Sequence, residues 1–193
     1  MEIYLHALTS YFVIIDPIGT AVIFHGLTGG AERAYVRRMA LRSVLISTAI
    51  VLLFGFFGES LLTSLGISIA SLRVAGGFLL FYTAFNMITR QGRKERRSQL
   101  QTDISVYPLS IPLIAGPGCL TLTILLFSQG GTLQLTAAVL TIYLATLAAF
   151  LGSGKIHRLI GETGDDILRR LLGVVLAALA VQFIADGIRQ LAG

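Results

Sequence analysis

The sequence predicts an all-α membrane protein of six transmembrane helices arranged as two inverted three-helix repeats, and three observations carry that expectation. Hydrophobic residues make up 54% of the 193 positions and charged residues only 13%, against roughly 25% charge in soluble domains. Several apolar runs approach or exceed the roughly 20 residues that a helix needs to cross a bilayer, and six such runs use most of the chain. Two of the runs carry matching interruptions, Asp16-Pro17-Ile18-Gly19 and Ala115-Gly116-Pro117-Gly118, so that Pro17 and Pro117 stand one hundred positions apart. Residues 1–193 are expected to form one integral membrane domain, with repeat one at 1–92, a basic linker at 93–104 and repeat two at 105–193.

Each span has its own justification. The first, about 3–25, is apolar on both sides of Asp16-Pro17; it carries Glu2 and lacks a basic leading region, so it is expected to stay as a span rather than act as a signal peptide. A basic, helix-prone stretch over 32–42 leads to span two, about 41–62, and span three covers about 69–87. Arg90, Arg93, Lys94, Arg96 and Arg97 then mark the linker. Span four, about 107–127, contains Pro108, Pro112 and Pro117, and a Gln129-Gly130-Gly131 turn opens span five, about 133–151. There Ala138, Thr141, Ala145, Ala148 and Gly152 fall at helical spacing and predict a smooth face for close helix contact. A polar loop with Lys155, His157, Arg158 and Asp165 is expected before span six, about 167–188.

Orientation follows from the basic residues. Thirteen of the 15 Lys and Arg fall in the one–two, three–four and five–six connections, and only Arg73 and Arg189 fall on the other face. Basic residues are retained on the cytoplasmic side, so both termini are expected outside. The net charge of +5 therefore reports topology rather than a nucleic-acid partner. The repeat itself is visible where Leu72-Arg73-Val74-Ala75-Gly76-Gly77-Phe78-Leu79-Leu80 lies without gaps on Leu168-Arg169-Arg170-Leu171-Leu172-Gly173-Val174-Val175-Leu176. That register pairs Ala84 with Ala180, Asn86 with Gln182 and Ile88 with Ile184. Three spans per half is an odd number, so the second copy must be inverted, a recurrent transporter plan.

The breaks are the candidate functional centre. Proline removes a backbone donor and glycine exposes backbone, and inside a bilayer freed groups are tolerated only where protein or a wet cavity satisfies them. Paired Gly/Pro-interrupted spans point to a transporter's binding site. Asp16 is the one ionisable residue deep within a span, which makes it a candidate ligand or proton carrier. It is also suited to cap a half-helix that starts at Pro17, the plainer reading, and the two roles are compatible. At the second break Gly116 occupies the cap position, leaving the amides of Gly118, Cys119 and Leu120 and the positive end of a helix dipole for an anion; a packing kink is the alternative. Thr20, Thr121 and Thr123 follow the breaks with hydroxyls that bond either a ligand or their own backbone. Asn86 and Gln182 are expected to bridge helices, and His6 and His25 to sit at membrane edges. The expected substrate-binding set is Asp16, Pro17, Gly19, Thr20, Gly116, Pro117, Gly118, Cys119 and Thr121, with Asp16 also the site of any proton coupling.

Other chemistries find no pattern here. One Cys, three scattered His and no HExxH or paired intramembrane carboxylates leave no metal constellation, and no GxxxxGK[ST] stretch exists to hold nucleotide phosphates. No enzyme activity, cofactor or nucleic-acid partner is expected. The lone Cys119 excludes an internal disulfide.

The motifs Phe12-Val13-Ile14-Ile15-Asp16-Pro17-Ile18-Gly19 and Pro112-Leu113-Ile114-Ala115-Gly116-Pro117-Gly118 resemble the MarC family over the whole chain. The resemblance implies a six-span inner-membrane protein of bacteria or archaea, of the LysE-like superfamily, some of whose members transport small neutral amino acids such as alanine and glycine. The chain departs from the family pattern at Thr20-Ala21-Val22, where Asn and then small or Pro residues are frequent, and at Cys119, where a small residue is usual. The expected function is secondary transport of a small zwitterion, a neutral amino acid by the resemblance, with proton coupling open. Its partners would be the lipid bilayer and an amino-acid-like substrate, and homo-oligomers are compatible. The alternatives are an exporter of another small metabolite or ion, and a non-transporting membrane scaffold or regulator.

Overall fold

In the computed structural model, which describes residues 1–89 and 104–192, every regular element is helical. The expected linker, apart from Ile104, falls outside these residues. Span one is two helices, α1 (Glu2–Ile15) and α2 (Pro17–Thr28), abutting at Asp16. The basic stretch does not stand apart from span two: both lie in α3 (Arg33–Ser64), 32 residues or about 48 Å long. That exceeds the roughly 30 Å of bilayer hydrocarbon, so the arginine-bearing turns extend beyond it. α4 (Ile69–Thr89) follows.

The fourth expected span is not one continuous helix. Residues Ser105–Ile114 wind as a π-helix, with Leu109 N–H bonding Ile104 C=O at 3.3 Å and Ala115 N–H bonding Ser110 C=O at 2.8 Å. Prolines along this stretch lack donors for an ordinary ladder, and the Ser110 hydroxyl lies within hydrogen-bond reach of the Ser105 carbonyl (2.6 Å) and the Ser43 carbonyl of α3 (3.0 Å), which share its single proton. π-helical winding is usually confined to single turns, frequently at functional sites. After Ala115 and Gly116 the chain resumes as α5 (Pro117–Phe127). α6 (Thr132–Leu151) starts behind Gly130 and Gly131, both at positive φ, a conformation glycine adopts without steric cost.

Three expectations are corrected here. The polar loop before span six is helical: α7 runs Ser153–Ala192, interrupted only at Gly161 (φ 66°, ψ 174°). The smooth face expected on α6 is not its packing face. Thr141, Ala145 and Ala148 are exposed, while Leu135, Val139, Ile142, Tyr143, Thr146 and Phe150 are buried with Ala138, because the bundle interior at that depth is filled by larger side chains. Gln182 does not bridge helices; its amide donates to the Asp186 carboxylate one turn along the same helix, at 2.9 and 3.0 Å.

Five stretches among the described residues are long and apolar enough to cross a membrane: 2–28, 33–64, 69–89, 132–151 and 170–192. α5 is apolar but too short, since the break at Ala115-Gly116 divides the fourth span. The helices pack in a repeating pattern. α1 and α2 lie on α6, as the π-helix and α5 lie on α3; α2 touches α7, as α5 touches α4; α3 meets α6, and α4 meets the later part of α7 along most of α4. Phe24 of α2 stacks on Phe150 of α6 with ring centroids 4.5 Å apart, and His25 of α2 lies 4.9 Å from His157 of α7.

The α4–α7 contact is close because of glycine. A Cβ on Gly77 would lie 2.6 Å from Ile184 Cγ1 and 2.8 Å from the Ala180 carbonyl; one on Gly173 would lie 2.9 Å from Ile88 Cγ1 and 3.2 Å from the Ala84 carbonyl. Leu80, Ala84, Leu176 and Ala180 fill the seam between them.

Candidate functional site

The first break is one residue wide. Asp16 adopts the left-handed conformation (φ 46°, ψ 70°) and is at once the C-cap of α1 and the N-cap of α2. It is the one non-glycine residue at positive φ among those described, a conformation that Asp and Asn tolerate better than other side chains. Its N–H closes α1 on the Phe12 carbonyl at 2.9 Å, and its carbonyl opens α2 by accepting from Thr20 N–H at 2.9 Å. Its carboxylate accepts from the Gly19 amide at 3.0 Å. A Cβ at Gly19 would fall on that carboxylate, so glycine there keeps the cap possible. Pro17 sits at the first helical position, where its missing donor costs nothing. The Thr20 hydroxyl bonds back to the Asp16 carbonyl at 2.7 Å. All four residues are buried.

The second break is two residues wide and uncharged. Ala115 (φ −127°, ψ 51°) closes the π-helix and Gly116 (φ −76°, ψ 170°) precedes Pro117 at the start of α5. No side chain caps this helix start. The carbonyl of Ile114 just upstream is taken instead by the Tyr143 hydroxyl of α6, which donates at 2.6 Å. Cys119, 2% exposed, places its Sγ 3.9 Å from the same hydroxyl. Gly118 is buried, and a Cβ on it would run into Leu80 of α4; a Cβ on Gly76 of α4 would likewise run into the methyl of Thr121. Two of the glycines and one threonine therefore let α4 and α5 approach closely. Thr121 is itself buried.

A pair of hydroxyls ties the two broken spans together. Tyr11, one turn before the first break, donates to Thr123 Oγ1 at 3.0 Å, and Thr123 in turn donates to the Cys119 carbonyl at 2.8 Å. α1 packs against α5, and α2 against the π-helix, so the first part of each broken span lies on the second part of the other. Tyr11 and Tyr143 are both fully covered. The sequence reading missed them, although a tyrosine inside an apolar span is a signal, since a buried phenol requires a hydrogen-bond partner. Among the described residues no group of three or more His, Cys, Asp or Glu is placed to hold a metal ion.

Comparison with known proteins agrees with the membrane architecture. A family model described as MarC family integral membrane protein matches residues 1–192. The chain is 34% identical to a UPF0056 membrane protein of Archaeoglobus fulgidus over 98% of its own length and 94% of that protein. It is 35% identical to one from Methanocaldococcus jannaschii, covering 97% and 87%, and 33% identical to one from Bacillus subtilis, covering 95% and 93%. No solved structure matches.

Proposed function

The chain belongs to the MarC family of integral membrane proteins, and from the geometry of its two breaks we propose that it is a secondary transporter of a small zwitterion. A neutral amino acid is the substrate class. The observation that carries this reading is the pair of interrupted spans, buried at depth and crossing one another, one with a carboxylate at its break and the other with an uncapped helix start. In a bilayer such interruptions are unfavourable unless the exposed backbone is satisfied, and transporters use half-helix ends to hold substrate charges. The amides of Gly118 and Cys119 take the substrate carboxylate, and Asp16 takes the ammonium or the coupling proton.

The inverted repeat belongs to the same proposal, and the α4–α7 seam supports it. With the 96-residue offset read from the sequence, Gly77 becomes Gly173, Ala84 becomes Ala180 and Ile88 becomes Ile184. Two of the close contacts there, Gly77 with Ala180 and Ile184 and Gly173 with Ala84 and Ile88, exchange under that operation, as in an isologous interface, whereas the contact of Gly187 with Ala70 and Val74 has no such counterpart among the described residues. The pairing of α2 with α7 and α5 with α4 exchanges in the same way. The six spans, counting the π-helix with α5, then rock as two three-span units to give alternating access, with both termini outside.

Uptake of labelled alanine into proteoliposomes tests the function. Asparagine keeps the cap and the left-handed conformation at position 16 while removing the charge. Asp16→Asn is expected to abolish coupled uptake with an unchanged melting temperature. A second reading, a scaffold in which the breaks only shape packing, is favoured by the close fit of Gly118 on Leu80. Wild-type uptake by a folded Asp16→Asn protein, or absence of uptake by the wild type across the neutral amino acids, would favour it.

A further inference from the structure

At the end of α3 opposite its arginines, a cleft of about 500 Å³ opens where three helices meet, a size typical of small-molecule sites. α3 contributes Glu59, Ser60 and Thr63, α5 its last residue Phe127, and α6 its first residue Thr132. Glu59 lies about 39 Å along α3 from Arg33. That exceeds the roughly 30 Å of hydrocarbon, so the cleft stands at the bilayer edge away from the arginines. Its floor is aromatic. Phe127 packs edge-to-face with Phe56, ring centroids 5.5 Å apart. Gly55 lets that ring settle on α3, since a Cβ there would stand 3.0 Å from it.

The polar lining is rich in acceptors. The Thr63 hydroxyl donates to the Glu59 carbonyl at 2.9 Å, which commits its proton and leaves its oxygen to accept. Ser60 and Thr132 bring two more hydroxyls. The Glu59 carboxylate has no ion pair or hydrogen bond among the described residues. The carbonyl ends of two helices, α3 at Ser64 and α5 at Phe127, come to this edge with the amide end of one, α6. The two negative poles favour a cation.

We propose that this cleft binds a small primary ammonium, which donates to the Glu59 carboxylate and to the hydroxyl oxygens of Ser60 and Thr63 and lays its alkyl part on Phe127. The three N–H donors match three acceptors, and the bond to the carboxylate is charge-assisted. A quaternary ammonium satisfies the charge but brings no donor. Free amines and the ethanolamine headgroup of phospholipids carry the same group, and a cleft at the bilayer edge is open to both. The site is separate from the breaks: the second of them lies about 16 Å away along α5.

Saturation-transfer NMR on the full chain in a neutral detergent tests the proposal, with ethanolamine as the probe and tetramethylammonium for comparison. Ethanolamine should bind saturably, about tenfold tighter than tetramethylammonium, and more weakly as salt rises. Glu59→Gln should weaken ethanolamine by about tenfold or more and Ser60→Ala by about fivefold. Melting temperatures should stay unchanged, because both side chains are exposed. Asp186→Asn removes a carboxylate near the far end of α7, outside the cleft, and should leave binding as it is. In nanodiscs, replacing phosphatidylcholine by phosphatidylethanolamine should abolish the ethanolamine signal where the headgroup occupies the cleft, and preserve it where a free amine does. Absence of saturable ethanolamine binding, or binding untouched by Glu59→Gln in a folded protein, would overturn the site. So would equal affinity for tetramethylammonium, or a loss from Asp186→Asn as large as that from Glu59→Gln, which would indicate general charge.

Discussion

The break at Asp16 and the break at Gly116 occupy comparable places in the two halves but are held together by different means. Asp16 closes one helix, opens the next and caps it with its own carboxylate, with every partner lying between Phe12 and Thr20. The second break has no side chain to do this. Its upstream carbonyl depends on Tyr143 from another helix, its approach is a π-helix braced on α3, and its first-turn amides have no side-chain cap. A locally completed break resists perturbation from elsewhere in the bundle. A break completed by other helices is sensitive to how those helices are arranged, which is what the proposed transport function would require of the part that responds to substrate. The α4–α7 seam is the counterexample, since there the two halves make matching contacts.

The largest expected effect tests that matching. Gly77→Leu and Gly173→Leu each push a side chain against backbone of the partner helix, and overpacking of this kind costs typically ~1–3 kcal/mol and occasionally more. Both variants should lower the melting temperature in detergent by comparable amounts, with Gly77→Leu slightly worse because its neighbours are nearer. A large loss from one and none from the other would break the equivalence of the halves.

The next effect separates the breaks. Tyr143→Phe leaves the buried Ile114 carbonyl without its donor, a loss of ~1–3 kcal/mol. Tyr11→Phe should cost less, about 1 kcal/mol, because Thr123 keeps its bond to the Cys119 carbonyl. Thermal melting of the two variants side by side measures the difference; equal losses would mean that the second break is no more dependent on distant helices than the first.

The smallest effect concerns the self-contained cap. Asp16→Ala removes a cap worth ~0.5–2 kcal/mol and places alanine at a left-handed position. Asp16→Asn should stay within a few tenths of a kcal/mol of the wild type. If Asn destabilises as much as Ala, the carboxylate has an electrostatic role in the fold beyond capping Gly19.

Much of this was legible in the chain itself. Composition determined the membrane class, because a bilayer demands long apolar helices whatever their arrangement. Asp16, Pro17, Gly116 and Pro117 marked the ends of half-helices, because proline and a capping Asp act through local backbone geometry. The 96-residue register set Gly77 against Gly173 in the sequence, and both glycines stand on the α4–α7 seam. What only the tertiary structure decided depends on neighbours distant in sequence. The burial of α6 on its larger side chains, the use of Tyr143 to complete the second break and the Tyr11–Thr123 tie between broken spans all join residues more than 20 positions apart. The helical rather than looped start of α7, and the merging of the basic stretch into α3, were hidden because charged residues outside the hydrocarbon suit a helix as well as a loop. Gly118 illustrates the division: the sequence marked its amide as open to a ligand beside Pro117, and the packing of the bundle decided that Leu80 lies against it.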